Sequence, residues 1–174
     1  MKRTVFLPNL ALVLLLMLTG LMAAVAQSQP DPAIQEAKEE VAVVYDLGRF
    51  FGYVHSMTTE ESSLALDAEQ KAELKKVMEE IKGMNRIEPD WAEETLEQLE
   101  LEVLSASQLM AVDQRAIEWQ NNRETSTSPA GGGAGSGSGS GPMSSYVTGG
   151  NFNPIVDESK TIGQGFAALL EYLQ

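Results

Sequence analysis

A chain of 174 residues with 25 acidic and 12 basic side chains carries a net charge of -13 and contains no cysteine. That balance argues against nucleic acid and against anionic membrane surfaces, both of which are bound through Lys and Arg, and leaves basic proteins or cations as better-matched partners. Without a thiol there is no disulfide framework, no lipoprotein acceptor, no Cys–His nucleophile pair and no thiolate metal site.

Residues 1–26 read as a secretory signal peptide outside the fold. Lys2 and Arg3 give a basic start, Leu10 to Leu18 an apolar middle, and Ala24-Val25-Ala26 a small-residue cleavage site, with the cut expected before Gln27. The basic start and short length fit a bacterial export signal, so a periplasmic or secreted destination is expected. The alternative is an N-terminally membrane-anchored protein, because Phe6 to Ala26 is almost long enough to span; membrane contact is expected only in that case. Loss of Lys2 and Arg3 makes the mature chain more acidic still.

Ser28 to Pro32 is a short leader, and Ala33 to Met57 then reads as one long helix. Ile34, Ala37, Val41, Val44, Gly48 and Phe51 fall on one face, with Val43, Leu47, Phe50 and Val54 on a neighbouring one. A helix apolar over so much of its circumference is usually buried among others. The β-branched and aromatic content of Val41 to Val54 leaves a strand as the alternative. Gly48 and Gly52, four apart, would let another helix approach closely, although in a soluble protein that spacing is more often incidental than a dimer motif. Thr58 to Ala65 is a polar connection.

From Leu66 to Trp119 the pattern predicts three helices, about 68–82, 91–103 and 106–121, with the rest of the chain arranged around them. Asp67 precedes Gln70, Asp90 precedes Glu93, and Ser105 precedes Gln108, each at capping-box spacing. Leu74, Val77, Met78 and Ile81 follow the first at one-face spacing. Ala92, Leu96, Leu99 and Val103 follow the second, and Leu109, Val112, Ala116 and Trp119 the third. Leu74, Leu99 and Val112 are expected in the core. Gly83 suits a left-handed helix end, and Pro89 sits just before the second cap. With the first long helix these make a small all-α, up-and-down bundle over 33–122, large enough for one modest core.

From Thr125 the composition turns to Ser, Thr, Pro and then the Gly131–Gly141 run, so 123–153 is expected to be an unstructured Gly/Ser-rich linker. An amphipathic helix is expected within 154–174, capped by Asp157 or Ser159. Its stripe is Ile162, Phe166, Leu169, Leu170 and Leu173, interrupted by Gly163 and Gly165, which each cost about 1 kcal/mol relative to Ala. Either this helix folds back onto the bundle or it is offered to a partner as a helix-in-groove ligand. An exposed stripe of that size would invite aggregation, which favours docking.

The chemistry-bearing residues are few. His55 is the single histidine, and although Glu60 and Glu61 lie near it in sequence, a lone histidine at a helix end is far more often solvated than a metal ligand. No phosphate-binding glycine loop follows a strand, and no calcium-loop pattern of alternating acids appears. No catalytic residue, cofactor or metal ligand is expected, so the chain reads as a non-enzyme.

One charge feature is less ordinary. Ile87 to Gln114 holds no Lys or Arg but contains Glu88, Asp90, Glu93, Glu94, Glu97, Glu100, Glu102 and Asp113. Glu93, Glu97 and Glu100 share a helical face, where like charges repel. They form a candidate docking face for a basic partner; a solubilising surface on an acidic exported protein is the weightier explanation of the pattern alone.

Leu66-Asp-Ala-Glu-Gln70 and Leu104-Ser-Ala-Ser-Gln108 resemble the LTxxQ motif of small periplasmic helical proteins, the group that includes the Spy chaperone and the Cpx-pathway inhibitor. In this chain Asp67 and Ser105 stand where the motif has threonine, and the surface is acidic where the chaperone's cradle is basic. The resemblance implies an exported, all-helical protein that acts as a stress-related chaperone or an adaptor of envelope signalling. The expectation is therefore an envelope protein that binds other proteins as adaptor, stress sensor or weak chaperone, through Glu93, Glu97 and Glu100 or through Phe166, Leu169, Leu170 and Leu173. The alternative is a structural or assembly component that attaches through its C-terminal helix. The sequence leaves oligomeric state open.

Overall fold

A computed structural model describes residues 31–125 and 142–174. The expected signal peptide and most of the expected linker, including Gly131–Gly141, lie outside the described residues. The described chain is an all-α helical bundle: α1 Pro32–Glu40, α2 Ala42–Glu60, α3 Ala68–Gly83, α4 Pro89–Gln98, α5 Ala106–Thr125, α6 Pro142–Val147 and α7 Thr161–Tyr172. Among the described residues an isolated parallel bridge between Arg86 and Phe152 is the sole β pairing. None of the described helices is long and apolar enough to cross a membrane.

The long helix expected over 33–57 is two helices. At Val41 ψ falls to 4°, and Val44 N bonds Val41 O at 3.1 Å, an i→i−3 contact that breaks the regular ladder. The break turns Ala37 on α1 and Val44 and Leu47 on α2 into the same core, with Val41 between them fully buried. The strand alternative for Val41 to Val54 fails because Leu47, Phe50, Phe51, Val54 and Met57 are buried together at helical spacing.

Two of the three expected capping boxes form. Asp67 Oδ1 accepts from Glu69 N and Gln70 N at 2.9 Å, and Gln70 Oε1 accepts from Asp67 N at 3.0 Å. At the start of α5, Gln108 Oε1 accepts from Ser105 N at 2.9 Å, and Ser105 Oγ accepts the longer return bond from Gln108 N at 3.4 Å. The Asp90–Glu93 box does not form. Pro89 opens α4 itself, since its fixed φ and missing N–H suit the first helical position, so the cap position falls on Glu88, whose side chain caps no amide and instead accepts from Arg86 Nε at 2.6 Å. The helical stretch ends at Val103 as expected, but its last turn, Leu99–Val103, is a π turn closed by Leu104 N to Leu99 O at 3.1 Å. Gly83 does not take the left-handed conformation expected of it; among the described residues that φ belongs to Gly149, at 74°.

Structure resumes before 153. α6 packs on α1, Tyr146 and Phe152 are buried, and Arg86 fastens the segment. Its Nη1 donates to Tyr146 O at 3.0 Å and Gly150 O at 3.1 Å, and its guanidinium lies 4.2 Å over the Tyr146 ring. Asn153 Nδ2 donates to Ile81 O at 2.8 Å and Met84 O at 2.9 Å, closing the end of α3. The apolar anchors of 142–153 are too sparse to show a period, which is why the linker expectation ran through them. Within 154–174 the chain first makes a 3₁₀ turn, Pro154–Val156. Neither Asp157 nor Ser159 caps α7: Asp157 Oδ1 takes Ser159 N and its hydroxyl at 3.1 and 2.6 Å, and Lys160 occupies the cap position.

The element around which the others gather is α2, not the 66–119 stretch. α4, α5 and α7 all pack on it, and α7 most extensively. Gly48 and Gly52 open a notch into which α7 fits. A Cβ placed on Gly165 would stand 2.8 Å from Gly52 Cα, and one on Gly48 would stand 3.3 Å from Ile155 and Ile162. Phe166 meets Phe51 edge-on at 5.4 Å, and Thr58 Oγ1 donates to Tyr172 Oη at 3.0 Å. The tail has docked on its own bundle, by the glycine spacing that sequence alone leaves unassigned.

Candidate functional site

The two glutamines of the capping boxes reach beyond their own helices and meet. Gln70 Nε2 donates to Gln108 Oε1 at 2.6 Å, and Gln108 Nε2 donates back to Gln70 Oε1 at 3.2 Å. Gln70 Nε2 also donates to Val103 O at 2.8 Å, and Gln108 Nε2 to Leu64 O at 3.2 Å. Gln108 is buried, so these amides satisfy backbone groups that would otherwise be orphaned at a helix start, a 3₁₀ turn and the π turn. The start of α5 and the end of the π turn are thereby fixed against α3.

A second tether holds α5 to α2. Arg115 Nε donates to Ser56 Oγ at 3.1 Å, and its Nη2 donates to Glu60 Oε2 and Glu61 Oε1 at 3.2 and 2.8 Å. Bonds from Ser56 and then Arg115 hold the Glu60 carboxyl below its ordinary pKa. These bonds commit Glu60 and Glu61, the two carboxylates nearest His55 in sequence, to Arg115. His55 is half-buried near the end of α2, where its carbonyl accepts from Thr59 Oγ1 at 2.7 Å. Among the described residues no group of three or more His, Asp or Glu side chains is placed to hold a metal ion.

α2, α4 with its π turn, and α5 leave an open cleft of about 310 Å³. Phe50 and Tyr53 of α2, Leu96 of α4, and Val112, Ala116 and Trp119 of α5 form its apolar and aromatic walls. Asp46, Arg49, Glu100 and Asp113 supply charge. Asp46 and Arg49 are paired to each other. The Arg49 guanidinium also lies 4.7 Å from the Trp119 ring centroid, as does that of Arg123. Glu100 and Asp113 belong to none of the ion pairs among the described residues. Burial pushes the Glu100 carboxyl above its ordinary range, and the Asp113 carboxylate across the cleft pushes it further. Burial likewise raises the Tyr53 phenol.

The structure separates the two sets of expected binding residues. Glu93 and Glu97 are exposed on α4, and Glu100, on the same helical face, is half-buried in the cleft wall. Phe166, Leu169 and Leu173 are buried against the bundle and Leu170 is half-buried, so that stripe is core rather than surface. Sequence reasoning passed over Arg49, Tyr53 and Trp119 as cleft residues, because they belong to helices whose packing order no period reveals. Comparison with protein-family models, curated proteins and solved structures finds no match for this chain.

Proposed function

We propose that this chain is an exported, non-enzymatic protein-binding module that receives a basic segment of another protein on the acidic face of α4. The observation that carries the reading is the state of Glu93, Glu97 and Glu100. They stand one turn apart on a stretch of chain, 87–114, that holds no Lys or Arg, two exposed and one partly withdrawn into a cleft. Like charges at that spacing cost a helix a few tenths of a kcal/mol each, a cost that a cationic partner offsets. Export rests on the N-terminal pattern from Lys2 to Ala26. The adaptor, stress-sensing or weak chaperone role rests on the resemblance of residues 66–70 and 104–108 to the LTxxQ motif. Attachment through the C-terminal helix is the weaker reading, since Phe166, Leu169 and Leu173 would first have to leave the core.

The test is fluorescence anisotropy of residues 27–174 with labelled lysine-rich and glutamate-rich peptides of equal length. Binding of the lysine peptide alone, weakened by salt and by Glu93→Gln/Glu97→Gln, is expected. Equal binding of both peptides, or of neither, would end the proposal.

A further inference from the structure

The cleft beside the acidic face is shaped for one part of such a partner. We infer that it anchors a lysine or arginine side chain of a basic amphipathic segment, with the segment's apolar residues lying on Met110 and Ile117; this rests on the function proposed above and adds the form of the ligand.

Three observations converge on it. The first is charge. Glu100 and Asp113 face the same cleft with no cation paired to either, while the nearby Arg49 is committed to Asp46 and to the Trp119 ring. Glu100, half-buried, and Asp113, exposed, repel across the cleft, and a cation placed between them gains from both. The second is shape. Leu96, Val112 and Ala116 line the approach, so an aliphatic stem can lie along apolar wall while its charged head reaches the acids, the arrangement long cationic side chains adopt at amphipathic surfaces. The third is what surrounds Asp113. Met110, Asp113 and Ile117 follow one another along a face of α5, and the two apolar members are 72% and 57% exposed. Leu101, next to Glu100 on the π turn, is 68% exposed. Large apolar side chains held in water beside unpaired acids match a ligand that carries both cations and apolar groups. A free polyamine would meet the acids but leave Met110 and Ile117 uncovered.

The experiment uses residues 27–174 and three labelled peptides: an amphipathic lysine–leucine peptide, its lysine–serine counterpart and its glutamate–leucine counterpart. The lysine–leucine peptide is expected to bind tightest. Glu100→Gln/Asp113→Asn should weaken it about tenfold or more, and Glu93→Gln/Glu97→Gln by less, as for groups at a rim. Met110→Ser/Ile117→Ser should weaken the lysine–leucine peptide and leave the lysine–serine peptide unchanged. If the basic peptides bind but ignore Glu100→Gln/Asp113→Asn, the anchoring cleft is refuted while the acidic-face reading survives. If no basic peptide binds, both fall. If spermidine alone competes as well as the lysine–leucine peptide, the cleft is a small organic-cation site and the inference is overturned. Thermal melts check folding of each variant, and Asp113→Asn alone, at an exposed position on α5, carries the test should the double variant not fold.

Discussion

Phe50 and Phe51 are neighbours in sequence and look into two different environments. Phe51 meets Phe166 on the side of α2 where α7 lies, and Phe50 lines the cleft between α4 and α5. On the first side the helices touch through glycine, the rings pack edge to face, and Val54, Leu169 and Ile155 are fully buried. On the second side polar bonds through Gln70, Gln108 and Arg115 hold the π turn and α5, and α4 and α5 leave an open space walled by rings and unpaired acids. One side obeys the rules that maximise stability; the other breaks them in a consistent direction. Rule-breaking that is local, electrostatic and beside a cavity is what recognition surfaces require, and it is the physical reason for placing function on the second side.

The largest effect expected is from removing the closed side. Truncation after Arg123 takes Tyr146, Phe152, Ile155, Phe166, Leu169 and Leu173 out of the core. At about 1.5–3 kcal/mol for each fully buried side chain, the loss rivals the roughly 5–15 kcal/mol stability of a whole domain. The truncated protein should bind a hydrophobic dye and lose its cooperative melt. A sharp, native-like transition at an unchanged temperature would show that α7 is a passenger.

A finer cut uses glycine. In an exposed helix, Gly→Ala adds about 0.5–1 kcal/mol of stability, and Gly83, with open space around it, should behave so. Gly165→Ala should do the opposite, because the new Cβ meets Gly52 Cα at 2.8 Å and forces the helices apart; overpacking of this kind costs about 1–3 kcal/mol. Chemical denaturation of the two variants should show opposite signs. Matching signs would mean the α2–α7 crossing is looser than described.

That pair also shows where sequence reasoning stops. Leu74, Leu99 and Val112 were legible as core because a 3.6-residue period survives whatever the helices pack against, and all three are buried. Gly163 and Gly165 looked like weaknesses of the last helix. They are contact points, since a Cβ on Gly163 would collide with Asp157 O, but the partner of a glycine is not written beside it. Asp90 fitted a box that Pro89 pre-empted from one position away. Arg86 holds the 142–153 segment over a sequence gap that no window spans. The acidic half of the cleft was readable as a run without Lys or Arg; its aromatic half, Tyr53 and Trp119, depended on a helix arrangement the pattern does not encode.

The polar tethers on the open side make a smaller test. Gln70→Ala and Gln108→Ala each remove a cap and orphan backbone carbonyls, at about 1–2 kcal/mol apiece. Because the two amides bond each other, the double variant should cost less than the sum, with a coupling of about 0.5–3 kcal/mol in a double-mutant cycle. Strict additivity would show that the pair acts as two separate caps.

The smallest effect is the most diagnostic, because its sign is unusual. Glu100→Gln keeps shape and removes a charge that the fold disfavours: burial and then the Asp113 carboxylate push the Glu100 pKa up. A carboxyl whose pKa is higher folded than unfolded stabilises the fold when protonated, and that contribution is lost as pH rises through the folded value. The wild type should therefore gain stability relative to Glu100→Gln on acidification from neutral pH, and at neutral pH the variant should melt at the same temperature or slightly higher. Thermal melts of both proteins across the carboxylate range measure this directly. A variant clearly less stable at neutral pH would mean that Glu100 is satisfied within the fold. A variant no less stable but poorer at binding the lysine–leucine peptide would place Glu100 among residues kept at some cost to the fold.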